Sequence, residues 1–265
     1  MSYSEEAFLF DSGALKLYGI WCAPEGPPRS ALLYCHPFGE EKKCAHRTVV
    51  ETARALAAQG VASLRFDLGG CGDSQGNFAD AAFSGWIDDV AAAWDEIGRR
   101  APEAPRALLG LRMGGALAAI ACARLANVNA LLLWQPLIDG EEEITREVRR
   151  VLVQQMFVTG RADGRREELV TALREGAIEL DGFPVSSTLY EDVSEFKLKN
   201  TRLAFPKRSA LIQFGRPQRD IDRFIAVEAL QGGLVDLPPI WRRIDFMPDA
   251  ETGDLLAREG VLRWI

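Results

Sequence analysis

One short motif in the chain has the glycine spacing of nucleophilic catalysis, but its central residue is not a nucleophile. In "LLGLRMGGALAA", Gly110 and Gly114 flank Arg112 in the pattern G-x-R-x-G. In the nucleophile elbow G-x-S-x-G, a serine on a sharp turn between a strand and a helix attacks an acyl carbon. A guanidinium remains protonated at any working pH, so Arg112 cannot be that nucleophile.

The sequence also lacks a second member of a serine triad. In enzymes with this elbow, a carboxylate follows a late strand and a histidine follows the last strand. Asp220 and Asp222 follow the apolar run "ALIQFG" and are candidate carboxylates, but the two histidines of the chain are His36 and His46. Losing one triad member typically costs about 10⁴ to 10⁶ in kcat. The sequence therefore predicts that ordinary serine hydrolase activity is absent.

Arg112 predicts an anion-binding pocket at the same place. The elbow lies at the start of a helix, whose free N–H groups and dipole favour a negative charge. A guanidinium holds a carboxylate or phosphate through two parallel hydrogen bonds. The predicted pocket has Arg112 as the clamp, with the Met113 N–H and an N–H from the loop of Phe38, Gly39 and Glu40 as further donors.

The alternative reading of Arg112 is internal neutralisation. A semi-buried arginine must find a partner or it costs several kcal/mol. Glu40 and Glu41 lie on the loop expected to face Arg112, and Asp73 lies on the next loop. The two readings are compatible, because a ligand can displace or share the internal partner.

His36 also has two readings. A His-Pro pair at the end of a strand is typical of an architectural residue that bonds neighbouring loops. The catalytic hypothesis pairs His36 with Glu40 or Glu41 as acid and base, which would activate water without a covalent intermediate. Two histidines ten residues apart, His36 and His46, do not match a zinc site, so no metal is expected.

Ser74 and the cysteines are weaker candidates. Ser74 in "GDSQG" could be a relocated nucleophile, but a serine in a glycine-rich turn usually bonds local backbone. We expect Cys35, Cys71 and Cys122 to be small buried side chains, with Cys71 the one whose loop could face the pocket. The chain has five cysteines and no C-x-x-C pair, which favours a reducing compartment.

Strand-like and helix-like segments alternate along the chain, which predicts a mostly parallel sheet covered by helices on both faces. The first pair is a hairpin with its turn at Asp11–Gly13. Predicted buried strands are "SALLYCHP", "VASLRFD", "RALLGL", "NALLLWQP" and "SALIQFG". Predicted helices are "HRTVVETARALAAQG", "DAAFSGWIDDVAAAWDEIGRR" and one beginning near Met113. Residues 237–265 are expected to supply a last strand and a closing helix.

The pattern changes after Pro136. Residues 138–200 are charged and helical, which by itself is typical of surface helices with Glu–Arg pairs. Because this segment lies between two sheet strands, we predict an inserted helical cap at 138–200. The core would then consist of residues 1–137 and 201–265.

A hairpin, alternating strands and helices, the elbow and a helical insertion together resemble a capped α/β-hydrolase. The blocks "HPFGEEKK", "DLGGCGDSQGNFADA", "GWIDDVAAAWD", "GLRMGGALAA" and "LLLWQPLIDG", from about residue 34 to 140, resemble the exosortase A system-associated hydrolases, type 2. This resemblance implies an elbow that also reads G-L-R. It further implies a Gram-negative bacterial setting of exosortase, PEP-CTERM protein sorting and exopolysaccharide production.

Composition limits the partners. The net charge of −7 disfavours nucleic acid and acidic membrane surfaces. The chain contains no run of eighteen apolar residues, the length needed to span a membrane. The acidic start "MSYSEEAFLF" does not match a secretory signal. We therefore expect a cytoplasmic protein, and the sequence points to no cofactor.

Three functional hypotheses follow. In the first, which we favour, a non-catalytic α/β-hydrolase-fold protein binds a small anionic molecule, a lipid-linked glycan precursor or a protein of the exopolysaccharide and exosortase system. In the second, an esterase, thioesterase or acyltransferase uses His36 with Glu40 or Glu41. In the third, the protein is a scaffold whose Arg112 is neutralised by Glu41. The sequence does not identify the ligand or the oligomeric state.

Overall fold

The structure is a computed structural model of the chain. It describes residues 2–159, 166–176, 178–180, 182–200, 205–217, 219–228, 230–242 and 247–265. At residues 151, 154–156, 158, 159 and 166 it describes the backbone and not the side chain.

In the described residues, ten strands form one large sheet and one small ribbon. The strands are β1 (Tyr3–Ser12), β2 (Leu15–Pro24), β3 (Ser30–Cys35), β4 (Val61–Phe66), β5 (Arg106–Leu111), β6 (Val128–Trp134), β7 (Ile178–Leu180), β8 (Phe183–Val185), β9 (Arg208–Phe214) and β10 (Gln231–Val235). The large sheet has the order β1-β2-β4-β3-β5-β6-β9-β10. The β1–β2 and β2–β4 pairs are antiparallel, and the other pairs in this sheet are parallel.

Helices cover both faces of this sheet. They are α1 (Gly39–Ala58), α2 (Phe83–Arg100), α3 (Met113–Cys122), α4 (Gly140–Thr159), α5 (Arg166–Arg174), α6 (Ser187–Glu195), α7 (Arg219–Glu228) and α8 (Ala250–Leu255), with a π-helical turn at Leu256–Leu262. Helices α2 and α3 pack on one face, and α1 and α8 pack on the other. The central strands are consequently buried on both sides, which explains their continuous apolar sequences.

The predicted elements are found with two corrections. Helix α1 begins at Gly39, earlier than the predicted start at His46, so the loop after β3 is short. The described residues within 237–265 contain no strand, and residues 243–246 of that segment lie outside the described residues; the last described strand is Gln231–Val235, which the sequence did not predict. The sequence pattern does not reveal the strand Gln231–Val235, because Gly232 and Gly233 have no side chains to show the alternation of apolar and polar residues. The two prolines of "LPPIW" have no N–H for a sheet ladder.

The segment 138–200, which we call the cap segment, lies between β6 and β9, and its described residues add no strand to the large sheet. Its described part contains α4, α5, the β7–β8 ribbon and α6. The Phe183 ring packs against the core Phe78 ring at 5.1 Å between centroids, and Asp192 accepts a hydrogen bond from the Phe83 N–H at 2.7 Å. The predicted boundary between 200 and 201 adjoins residues 201–204, which lie outside the described residues. Among the described helices, none is long and apolar enough to cross a lipid bilayer.

Candidate functional site

The G-x-R-x-G motif folds as the sharp turn of a nucleophile elbow. Arg112 links β5 to α3 with φ 54° and ψ −119°, a region that non-glycine residues rarely adopt. A Cβ atom at Gly110 would collide with the Gly114 carbonyl, and one at Gly114 would collide with the Cys35 carbonyl. The glycines are therefore required by close backbone approach, and the turn holds Arg112 in a strained conformation.

The Arg112 guanidinium is buried and held by two carboxylates. The residue is 5% exposed. Its Nε donates to Glu41 Oε1 at 2.9 Å, and its Nη2 lies 2.7 Å from Glu143 Oε1. Its Nη1 donates to the Gln135 carbonyl at 3.3 Å, and its Cζ lies 5.3 Å from the centroid of the Trp241 ring. Glu41 belongs to α1 and Glu143 to α4, so Arg112 connects the core to the cap segment.

The two carboxylates differ in pKa although they share one cation. Burial raises the pKa of Glu41, and Arg112 only partly opposes this. Burial would also raise the pKa of Glu143, but Arg112 and Arg146 outweigh it and hold that pKa below its ordinary value. Burial lowers the pKa of Arg112, and the two carboxylates reverse this and keep the pKa above its ordinary value. Arg112 is therefore a permanent cation.

A cavity of about 490 Å³ opens at the elbow between the core and the cap segment. Most of its wall is apolar: Phe38, Met113, Leu137, Ile144, Leu180, Phe183, Val185, Leu189, Tyr190, Val193 and Trp241. Its charged side chains are Glu40, Glu41, Glu143, Glu147, Arg112, Arg146, Arg150 and Arg242. This combination of a large apolar wall and a few converging polar groups is typical of a small-molecule site.

The structure brings most of the predicted pocket residues together. Those that line the cavity are Phe38, Gly39, Glu40, Glu41, Arg112 and Met113. The N-terminal turns of α1 and α3 both lie at this wall, because α1 begins at Gly39 and α3 at Met113. Backbone N–H groups in a first helical turn have no acceptor within the helix. His36 and Asp73 are not part of the described lining.

His36 is buried beside Tyr34 and is not part of the described lining of the cavity. Its ring packs edge-on against Tyr34, with 4.5 Å between centroids, and the residue is 5% exposed. Burial holds the pKa of His36 well below its ordinary value, and nearby cations, with Lys42 first, lower it further. Within the described part of the chain, no hydrogen bond joins His36 to Glu40 or Glu41; Glu40 pairs with Lys43 at 2.5 Å. The predicted acid and base pair is therefore not assembled.

The loop after β4 is structural. Ser74 Oγ donates to the Asp67 carbonyl at 2.5 Å and accepts a hydrogen bond from the Tyr18 N–H at 2.8 Å. Asp73 is exposed, and its N–H donates to Asp67 Oδ2 at 3.0 Å. Its exposure, on a loop tied to Asp67, explains why Asp73 does not reach Arg112. Burial raises the pKa of Cys71 to about 12, so this thiol is not a nucleophile at neutral pH.

The loops and helices after β9 and β10, which would supply the carboxylate and the histidine of a triad, do not form an acid and base pair with Arg112 in the described residues. After β9, Asp222 accepts a hydrogen bond from Gln213 Nε2 at 2.7 Å, and neither Asp220 nor Asp222 is in the described lining. After β10, the loop places Trp241 over the guanidinium of Arg112. An indole N–H is a donor only and cannot accept a proton as a catalytic base does.

Sequence reasoning missed Glu143, Arg146, Trp241 and Arg242. Glu143 lies in the first turn of α4, within the acidic run "GEEE", and nothing in that run distinguishes it from its neighbours. Trp241 lies on the loop after the last strand, where the fold places the triad histidine. Locating β10 correctly would have marked this loop as part of the site.

The comparisons with known proteins agree with this architecture. The family model for serine aminopeptidase, S33, matches residues 26–168, which include the elbow and the start of the cap segment. The chain belongs to the serine aminopeptidase S33 family. The predicted α/β-hydrolase fold is confirmed by this match and by the solved structures similar to it. No curated protein matches the chain significantly.

Solved structures similar to this S33-family chain include several α/β-hydrolases. Est1E from Butyrivibrio proteoclasticus, with ferulic acid bound, has a TM-score of 0.66 at 17% identity and covers 96% of this chain and 99% of its own. XC6422 from Xanthomonas campestris, an α/β serine hydrolase without a lid, has a TM-score of 0.62 at 16% identity, over 98% and 95% of the two chains. A Pyrococcus furiosus esterase has a TM-score of 0.62 at 17% identity, over 97% and 92%. At these identities the likeness shows the fold.

Proposed function

We propose that this S33-family protein is a non-catalytic binding protein whose cavity holds a small, mainly apolar molecule with an anionic group. The observation that carries the proposal is the elbow itself. Arg112 stands at the nucleophile position, fixed by Glu41 and Glu143, and Trp241 covers it from the loop where a histidine would activate a serine. A guanidinium at the elbow cannot form an acyl-enzyme as a serine does.

The size and the lining of the cavity support a role in ligand binding. Its volume of about 490 Å³ lies within the range of small-molecule pockets, roughly 300–1,000 Å³. Its apolar wall combines side chains of the core, such as Phe38 and Met113, with side chains of the cap segment, such as Phe183 and Leu189. A purely structural interface between the same elements would be packed without a void of this size.

The role of Arg112 differs from that of a simple clamp. Its guanidinium has five N–H donors, and three of them have acceptors in Glu41, Glu143 and the Gln135 carbonyl. An anion that contacted Arg112 through the same edge would have to displace a carboxylate. We propose that Arg112 organises the floor of the cavity and joins the cap segment to the core, with the Met113 and Gly39 backbone as further polar groups.

The two alternative hypotheses are weaker. The hydrolase that uses His36 with Glu40 or Glu41 lacks the contact on which it depends. The scaffold hypothesis has support from the Arg112–Glu41 ion pair, but it does not account for the cavity. A binding protein accounts for both.

The biological setting rests on sequence resemblance. The blocks from about residue 34 to 140 support a place among the exosortase A system-associated hydrolases, type 2. We propose, on that basis, a cytoplasmic role in exopolysaccharide production or PEP-CTERM protein sorting. The ligand would be an anionic intermediate or lipid-linked precursor of that system.

Two assays test the proposal. Wild-type protein should show no turnover of p-nitrophenyl or acyl-CoA esters above background and no labelling by a fluorophosphonate probe. It should bind Nile red, a neutral apolar dye, and Ile144→Trp should weaken this binding by filling the cavity. Val227→Trp is the matched control, because Val227 is 80% exposed on α7. Ester turnover with covalent labelling, or dye binding indifferent to Ile144→Trp, would refute the proposed function.

A further inference from the structure

The arginines on the cavity wall are not equivalent. Three of the four form ion pairs: Arg112 with Glu41 and Glu143, Arg146 with Glu143, and Arg150 with Glu147. In each case the cation is already neutralised by carboxylates of the same wall. A ligand anion at any of these three would compete with a partner that is covalently part of the protein.

Arg242 is the exception in the described lining. It is exposed, and in the part of the chain that the structure describes it forms no salt bridge. Its N–H donates to the Pro239 carbonyl at 3.0 Å, so the turn that carries it is fixed. Its charge reaches the floor of the cavity, because Arg242 is one of the groups that lower the pKa of Glu143.

We propose that Arg242 is the anion receptor of this cavity and that its ligand is an amphiphile, a carboxylate or phosphate monoester on an apolar chain. This inference rests on the proposed function and names the ligand class and the recognising residue. A guanidinium that has no salt bridge among the described residues binds an anion without breaking one of the described ion pairs, and its fork of donors fits either oxyanion. The apolar chain then lies along the wall that includes Phe183, Val185 and Leu189.

Two roles that the sequence analysis assigned to Arg112 alone then belong to two residues. Arg112 fixes the floor and the cap segment, and Arg242 selects the charge of the ligand. Removal of the Arg242 charge should therefore weaken anionic ligands and leave neutral ligands of the same chain length unaffected.

The test uses Nile red displacement by three ligands with the same chain: dodecanoate, dodecyl phosphate and 1-dodecanol. In Arg242→Gln we expect the Kd of at least one anion to rise about 10-fold, since a hydrogen bond to a charged group contributes about 1.5 kcal/mol or more. The Kd of 1-dodecanol should not change. Arg242→Lys should recover part of the affinity, and the anion that is weakened identifies the head group. Arg219→Gln, at an exposed arginine of α7 outside the described lining, is the matched control.

The outcomes distinguish this inference from the proposed function. Equal Kd changes for the anions and the alcohol, or no change for either anion, would overturn the role of Arg242 while Nile red binding still supports the cavity. If a folded Arg112→Met protein lost the preference for anions and Arg242→Gln kept it, the anion-binding residue would be Arg112 and the role proposed for Arg242 would be wrong. Failure of the wild type to bind the dye or any of the ligands would overturn both.

Discussion

Replacing Arg112 with methionine tests the electrostatic design of the elbow most directly. The substitution keeps an unbranched apolar side chain on the strained turn and removes the cation between Glu41 and Glu143. Breaking a buried ion pair by removing one partner typically costs about 3–5 kcal/mol. The Glu41 and Glu143 side chains are 26% and 14% exposed, which gives them some solvation, so we expect the lower end of that range. For a chain of this length, about 3 kcal/mol lowers Tm by roughly 6 °C.

The cost of Arg112→Met should depend on pH with a defined sign. The folded pKa of Glu143 is lower than its ordinary value of 4.5, so the stability that this carboxylate contributes is present above about pH 4.5 and is lost as the pH falls through the folded value. Without Arg112, the two carboxylates repel each other when ionised and lose that repulsion when protonated. The difference in unfolding free energy between wild type and variant should therefore be largest near pH 7.5 and shrink below pH 4.5.

Urea unfolding, followed by circular dichroism at pH 7.5 and pH 4, measures this difference. The triple variant Arg112→Met, Glu41→Gln, Glu143→Gln should recover most of the lost stability, because it leaves no unpaired charge. Arg219→Met, at an exposed position, should change stability by no more than about 0.5 kcal/mol. A cost below about 1 kcal/mol at pH 7.5, or a cost that is the same at both pH values, would refute the ion-pair account.

Further predictions concern the same elbow. Arg112→Ser should not acquire turnover of p-nitrophenyl esters, since Trp241 cannot accept the serine proton; turnover above background would contradict this. At pH 7.5, Glu143→Gln should destabilise the fold more than Glu41→Gln in urea unfolding. The raised pKa of Glu41 means that its ionised form is disfavoured by folding, so the stability it contributes is lost as the pH rises through its folded pKa. The reverse ranking would be inconsistent with the pKa directions. Gly114→Ala should lower the free energy of unfolding by about 3 kcal/mol, because the new Cβ would collide with the Cys35 carbonyl and push β3 and α3 apart. A Tm equal to that of wild type would rule out this close approach.

Local sequence patterns were sufficient to predict the fold and the core side of the site. Apolar runs and helical periodicity predicted the sheet and most of its helices because these patterns reflect burial of neighbouring residues. The spacing of Gly110 and Gly114 predicted the elbow because close backbone approach excludes any side chain there. The missing C-terminal histidine predicts the loss of serine catalysis, and in the structure the residue that contacts Arg112 from the loop after β10 is Trp241.

Tertiary structure alone decided which charges meet. The sequence offered Glu40, Glu41 and Asp73 as partners of Arg112, and the fold selected Glu41 and added Glu143 from the cap segment. It also packed His36 against Tyr34, outside the described lining of the cavity. The physical reason is that an ion pair depends on a separation of a few ångströms, which is set by the packing of α1, α3 and α4 and leaves no trace in the spacing of residues along the chain.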